Sequence, residues 1–317
     1  MPKVITIGEA LVEIMRPRAG QPLDTTGEFH GPFASGAPAI FAVAAARLGL
    51  STAFIGAVGE DAFGRFLQAR FAAETVDSSG LQYPPGYSTG AAFVAYDDTG
   101  GREFVFHIRQ AACGQLSADL IPVGLFEDVS WLHISGSTIF LNENSRAACQ
   151  KAMDLVINQG GKISLDPNLR PELMPFDEAS KVLAPFLAAA DLLLPTESEA
   201  RELTGESEIA RAVQALTAKQ DAIVVLKRGP SGCSIWQNEK RLDVPGFVVE
   251  EKDPTGAGDC FSAAFITGLE TGWPLEQSGR FANAAGALAV TQFGPMEGAP
   301  TRYQVENFLI TEKTERE

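Results

Sequence analysis

Seven consecutive residues, Asp253-Pro254-Thr255-Gly256-Ala257-Gly258-Asp259, carry the strongest chemical potential in the chain. Two close glycines just ahead of a helix let backbone N–H groups converge on one point. A helix N-terminus adds about half a unit of positive charge there. Such a turn binds an anion, and it suits the charge that builds on a phosphoryl group in transfer. Asp259 stands in the first helical turn beside that point, where a carboxylate can accept a proton from an attacking hydroxyl. A mere helix cap would not need small residues along one side of the helix. Cys260-Phe261-Ser262-Ala263-Ala264-Phe265 provides them, so that the backbone can be approached closely. The run is not a Walker A loop, because no G-K-[ST] comes after it. Nor is it a dinucleotide fingerprint, since it lies near the C-terminal end and lacks the G-x-G-x-x-G spacing.

Other candidates are more ambiguous. Arg109 follows a β-rich segment and Arg170 follows a strand end, so both could reach a pocket. Two guanidinium forks suit a carboxylate or phosphate, and the plain alternative for each is a surface arginine. Glu13 either contacts hydroxyl groups or caps a strand end. His107 reads as packing, Cys260 as a small core residue, and Trp131, Trp236 and Trp273 as core or edge packing.

These residues must be positioned by an α/β scaffold. Strands are expected at Val4 to Ile7, Ala53 to Val58, Ser130 to Ile134, Lys162 to Leu165, Leu192 to Leu194 and Ala222 to Lys227. Helices are expected at Ala39 to Leu48, closed by Gly49, and at Phe63 to Ala73, Asn144 to Gln159, Leu183 to Ala190 and Glu197 to Leu203, the last capped by Gly205. Two more are expected at Asp259 to Thr271 and Leu275 to Thr291. The alternation implies a mostly parallel sheet with helices on both faces. Gly90 to Tyr96 and Glu103 to Ile108, separated by Asp97-Asp98-Thr99-Gly100-Gly101, read as a hairpin. With the Pro/Gly-rich stretch after Arg16 it is expected to form a small β lid, discontinuous in sequence, from about 14–33 and 88–109. Ser231 to Gln237 and Arg241 to Pro245 read as a second antiparallel pair. The whole of 1–317 is expected to be a single domain, with Thr311 to Glu317 frayed.

Composition narrows the partners. A net charge of −15 argues against nucleic acid or an anionic membrane surface. The four cysteines show no metal-type spacing and the three histidines cannot build a His-rich metal site. The first fifteen residues do not read as a signal peptide, and no apolar run approaches the roughly 20 residues of a membrane span. The chain is expected in the cytoplasm.

The run from Asp253 to Asp259 resembles, residue for residue, the C-terminal D-[TP]-x-G-A-G-D signature of the ribokinase-like, PfkB-type carbohydrate kinases. Ser35-Gly36-Ala37-Pro38-Ala39, Ala42 to Gly49 and Ile55-Gly56-Ala57-Val58-Gly59-Glu60-Asp61 resemble the N-terminal signature of that family. Asp166-Pro167-Asn168-Leu169-Arg170 is similar to the D-x-N-x-R segment of its fructokinase and 2-keto-3-deoxygluconate kinase branches, and the segments around Gly36 and Cys113 to a branch that includes tagatose kinases. The resemblance implies a three-layer ribokinase-like fold and ATP-dependent phosphorylation of a sugar. It implies Asp259 as base and the amides of Gly256, Ala257 and Gly258 as anion hole. It places the sugar near Glu13, Gly36, Arg109, Arg170 and Asp259. It places the nucleotide near Lys227, Gly229, Gly232, Asn283 and Gly286. It implies Mg²⁺ held through water by Glu199, K⁺ near Asp253, and a homodimer paired through the lids. Three positions depart from the pattern: Ile40 replaces an Asn, Glu13 an Asp, and Thr196 the Asn of N-x-x-E. The acceptor is a ketohexose or 2-keto-3-deoxygluconate on this reading. The alternatives are a nucleoside kinase or a non-catalytic sensor of the same fold. A nicotinamide-dependent dehydrogenase is disfavoured, because the first strand ends in Gly8-Glu9-Ala10.

Overall fold

The computed structural model describes residues 1–98, 101–217, 219–238 and 240–314. Thr99 and Gly100 of the expected hairpin turn, and residues 315–317 of the expected frayed end, lie outside the described residues. The chain opens with β1 (Val4–Glu9), β2 (Leu11–Met15), β3 (His30–Ser35) and α1 (Ala37–Arg47). It continues through β4 (Thr52–Ala57), α2 (Ala62–Ala73), β5 (Asp77–Gln82), β6 (Gly90–Tyr96) and β7 (Arg102–His107). Next come β8 (Trp131–Ser135), α3 (Gly136–Leu141), α4 (Glu143–Asn158), β9 (Lys162–Asp166) and α5 (Phe176–Ala189). After these stand β10 (Leu192–Leu193), α6 (Glu197–Thr204), α7 (Ile209–Leu216), β11 (Ile223–Lys227), β12 (Cys233–Gln237) and β13 (Lys240–Val244). The chain ends in α8 (Ala257–Thr271), α9 (Leu275–Ala289) and α10 (Arg302–Thr314).

Among the described residues, the main sheet has nine strands in the order β13-β12-β11-β10-β9-β8-β1-β4-β5. The seven from β11 to β5 are parallel, and the β11-β12-β13 edge is antiparallel. Strand periodicity divides the core into two layers. Val4, Trp131 and Val225 face α1, α8 and α9 with Phe41, Phe265 and Phe281. Ile5, Leu132 and Val224 face the other side with Cys149, Phe186 and Leu216 from α4, α5 and α7. Sheet and helices thus make three layers. Among the described residues no helix is long and apolar enough to cross a membrane.

A second sheet has the order β3-β2-β6-β7, with β2 and β6 parallel and the other pairs antiparallel. Only Ala10 separates β1 of the main sheet from β2 of the small one. The sequence pattern predicts no strand there, because Glu9 and Glu13 break the apolar run. Both carboxylates are nevertheless buried, since they face the cleft between the sheets. Sequence analysis also leaves β5, α3, α7 and α10 unassigned, and α10 carries helix through 311–314 of the end expected to fray. The expected start of α5, at Leu183, is seven residues late, whereas the helix begins at Phe176 with Asp177 and Glu178 in its first turn.

Candidate active site

The signature turn is shaped by its backbone. Gly256 has φ of +79° and is the N-cap of α8. A Cβ there would stand 2.3 Å from the Pro295 carbonyl oxygen, so only glycine fits. Among the described residues no side chain caps α8, and the Cys260 N–H reaches the Gly256 carbonyl at 2.9 Å. Of the amides ahead of it, Ala257 N–H makes only a long 3.4 Å contact with the Pro254 carbonyl, so this end of α8 can receive a ligand anion. Asp253 braces the turn from below: Oδ1 accepts the Thr255 N–H and Oδ2 the Gly294 N–H, each at 2.9 Å.

One side of the turn faces a cavity of about 260 Å³. Its floor is made by residues at the carboxyl ends of parallel strands, Glu9, Asp166 and Lys227, with Asn168, Arg170 and Asp259. Its roof comes from the small sheet with Glu13, Arg102, Phe104, Phe106 and the nearby Ile108. Lys227 Nζ donates to Asp166 Oδ2 at 2.5 Å, and it lies 3.4 Å from where a side chain on Gly258 would begin. Ser137 and Thr138 donate to the two oxygens of Glu9, each at 2.6 Å. Asn168 Nδ2 donates to Ser135, whose hydroxyl is 2.8 Å from Ser137. Ser35 donates to Glu13 Oε1 at 2.6 Å, while the buried Glu13 Oε2 has no hydrogen-bond partner among the described residues.

So many carboxylates in one enclosure shift one another. Burial, seconded by Asp166, pushes the Asp259 carboxyl up to about 8, and Lys227 and Arg170 restrain the rise. Burial pushes Glu13 up to about 7 against the pull of Ser35. Burial also raises Glu9 and Asp166. For Lys227, burial works downward, but Asp166 and Glu199 outweigh it and hold the ammonium above its ordinary range. A buried carboxylate poised near neutrality beside an anion-binding turn is equipped to take a proton.

The other side of the turn faces a groove of about 310 Å³ lined by Gly229, Gly232, Phe247, Val248, Ala257, Phe261, Asn283 and Gly286. Gly258 lines both spaces.

The profile of the pfkB family carbohydrate kinases matches residues 1–302. The chain belongs to this family. The fructokinase of Vibrio alginolyticus is 34% identical to this kinase over 317 residues, covering 98% of this chain and 99% of that protein. A ribokinase II candidate from E. coli, crystallised with ATP and Mg²⁺, shares 40% identity and a TM-score of 0.92, over 98% of this chain and 100% of that one. A double-mutant fructokinase from Vibrio cholerae O395, bound to fructose, ADP and potassium, gives 32% identity and a TM-score of 0.86, over 98% of each chain. The kinase is ATP-dependent and acts on a sugar.

The residues singled out from sequence separate into three groups. Glu13, Gly36, Arg170, Glu199 and Asp259 line the cavity. Gly229, Gly232, Asn283 and Gly286 line the groove, whereas Lys227, expected at the nucleotide, lies in the cavity because Asp166 draws its ammonium there. Arg109 is exposed and lines neither space. The cavity-facing positions of the hairpin are 102, 104, 106 and 108, and Arg109 has the opposite parity, so Arg102 supplies the arginine in its place. Sequence reasoning missed Arg102, Glu9 and the Ser135/Ser137 pair. The signal for Glu9 was its place at the end of the first parallel strand, where α/β ligand sites lie.

The E. coli neighbour holds Mg²⁺ together with ATP. Among the described residues no three His, Cys, Asp or Glu side chains form a ready metal cage. Asp166 and Glu199 nonetheless offer hard oxygens beside the anion turn, which suits a cation carried largely by phosphate and water. Leu169 N–H donates to Glu199 Oε1 at 2.8 Å and Thr196 N–H to Oε2 at 2.7 Å. Glu199 is thereby fixed, and Thr196 serves as the cap of α6 in place of the usual Asn.

Proposed function

We propose that this kinase transfers the γ-phosphoryl group of ATP to a hydroxyl of a ketohexose, with fructose the first candidate, in the cytoplasm. The observation that carries the reading is Asp259, buried at the start of α8 where cavity and groove meet at Gly258. The named substrate of the fructokinase relatives supports the sugar class. The unpartnered Glu13 oxygen favours a neutral sugar, because a hydroxyl would satisfy it and a sugar carboxylate would be repelled.

ATP lies in the groove with its phosphates at the turn, and the sugar lies in the cavity. Asp259 takes the hydroxyl proton as the oxygen attacks. The amides of Gly256, Ala257 and Gly258, with the Lys227 ammonium, stabilise the charge that develops. Asp166 and Glu199 would hold Mg²⁺, which when bound neutralises phosphate charge. Three of the roughly four lone-pair sites of Asp253 accept Tyr96, Thr255 and Gly294. A K⁺ ion there would therefore rest mainly on backbone carbonyls. Closure of the small sheet excludes water.

A second reading, an acid sugar such as 2-keto-3-deoxygluconate, is favoured by one observation: Arg102 and Arg170 line the same cavity. Coupled ADP release with MgATP, K⁺ and a panel of fructose, tagatose, 2-keto-3-deoxygluconate and nucleosides separates the two. A response led by fructose supports the proposal, and a response to the acid sugar or a nucleoside alone overturns it. A homodimer through the small sheets is part of the proposal, since β3 and β7 form the edges of that sheet and Val105 is exposed. A concentration-independent monomer mass would contradict it.

A further inference from the structure

The last residue of β6, Tyr96, reaches out of the small sheet and touches the signature turn. Its hydroxyl donates to Asp253 Oδ1 at 2.5 Å and lies 3.0 Å from the Thr255 hydroxyl. A phenol has one proton. With that proton given to Asp253, the Thr255 hydroxyl is the donor in the second contact. Tyr96 is thus doubly held, by the first and third residues of the seven-residue run. It is the small sheet's hydrogen bond to that run among the described side chains.

The acceptor is no incidental carboxylate. Asp253 is fully buried, and its two oxygens also take the Thr255 N–H and the Gly294 N–H. One side chain therefore joins three pieces of chain: the roof strand β6, the turn that leads into α8, and the loop at Gly294. That loop also supports Gly256, whose missing side chain would strike the Pro295 carbonyl oxygen at 2.3 Å. The placement of the Gly256 to Gly258 amides depends on both neighbours of Asp253.

The other end of the linkage enters the cavity. Tyr96 pairs directly with Arg102 across the β6-β7 ladder, so their side chains share a face of the small sheet. Arg102 is the arginine that the roof contributes to the cavity. Fixing Tyr96 to Asp253 fixes Arg102 over the sugar side. Burial and the adjacent Asp253 carboxylate both raise the phenol's pKa and keep it a donor.

We propose that Tyr96 is a positioning residue for phosphoryl transfer, a latch through which the roof's placement over the sugar and the alignment of the anion-binding turn become one event. The proposal rests on the phosphoryl-transfer reading above and extends it to a residue that touches neither reactant. Its free energy comes from the hydrogen bond between Tyr96 and the buried Asp253 side chain.

The test is Tyr96→Phe, which keeps the ring and removes the hydroxyl. Hydrogen–deuterium exchange of the unliganded chain is read first, because it does not depend on the sugar. The latch predicts faster exchange in 253–258, 90–98 and 101–107, with the main sheet unchanged. Steady-state kinetics come second, with the responding sugar. The latch predicts a kcat lower by about tenfold or more, a raised KM for sugar, and an unchanged KM for ATP. Unchanged exchange in 253–258 overturns the latch whatever the kinetics. So does loosening of the whole molecule with kcat intact, which marks a packing role. If wild-type protein ignores fructose, the substrate assignment fails on its own, and the exchange result still decides the latch.

Discussion

The two spaces that meet at Gly258 are built from opposite materials. On the side proposed for the sugar the walls carry Glu9, Glu13, Asp166, Asp259, Arg102, Arg170 and Lys227. On the nucleotide side the walls are glycines and apolar groups such as Phe247, Val248, Phe261 and Ala287, and Glu251 is the one charged residue among those described. The difference arises from what each side must do. A sugar is recognised through hydroxyl groups, so its site needs fixed polar partners, and the phosphoryl acceptor needs a base. A nucleotide brings its own charge, so its site needs a flat apolar slot and backbone N–H groups. The crowded side costs stability and raises the pKa values of its carboxylates.

The largest effect expected from breaking this contrast is Asp259→Asn. It removes the base and spares the groove, so kcat falls by about 10²–10⁴ while ADP affinity, read by calorimetry, stays within about twofold of wild type. Next is Glu13→Gln, which exchanges a hydroxyl acceptor for an amide. The KM for sugar rises by about tenfold and the KM for ATP does not move. The mirror experiment is Gly286→Leu. A Cβ at Gly286 meets nothing closer than the Ala257 carbonyl oxygen at 3.4 Å, so the chain folds, and the longer side chain enters the groove. The KM for ATP rises by roughly tenfold with the KM for sugar unchanged.

The smallest effect is on stability. Asp259 and Glu13 ionise at about 8 and about 7 in the folded chain, above their ordinary values of 3.8 and 4.5. The unfolded chain therefore loses these protons first as pH rises. Stability is fully present below the ordinary values and is lost as pH climbs through about 7 and 8. Melting of the ligand-free chain drops over that window, and Asp259→Asn flattens the drop and raises Tm at the alkaline end by roughly 2 °C or more.

The two sides were also unequally legible in the sequence. The turn and most of the groove are local: Asp253 to Asp259, Gly229 to Gly232, and Asn283 with Gly286 are short segments whose chemistry needs only their own backbone. The parallel body was legible for the same reason, as alternating strand and helix patterns. The cavity is assembled from β1, β2, β3, β7, β9 and β11, and nothing in one segment shows what another brings to it. Glu9 was given no role and Glu13 was left between a hydroxyl contact and a strand-end cap, because burial of a carboxylate makes sense only once the cleft exists. Arg109 was misplaced through a single step of strand parity, which a two-residue period could have decided in favour of Arg102. That Lys227 lines the cavity was not legible because its partner, Asp166, lies 61 positions away.

The central claim is that Asp259 is a base held poised by burial. The most direct measurement is the pH profile of kcat/KM for the sugar, which reports ionisations of the free enzyme. One ascending limb with its midpoint near 8, absent from the residual activity of Asp259→Asn, is the predicted result. A profile flat from about pH 6 to 9 in the wild type, or an unchanged limb in the variant, would contradict it.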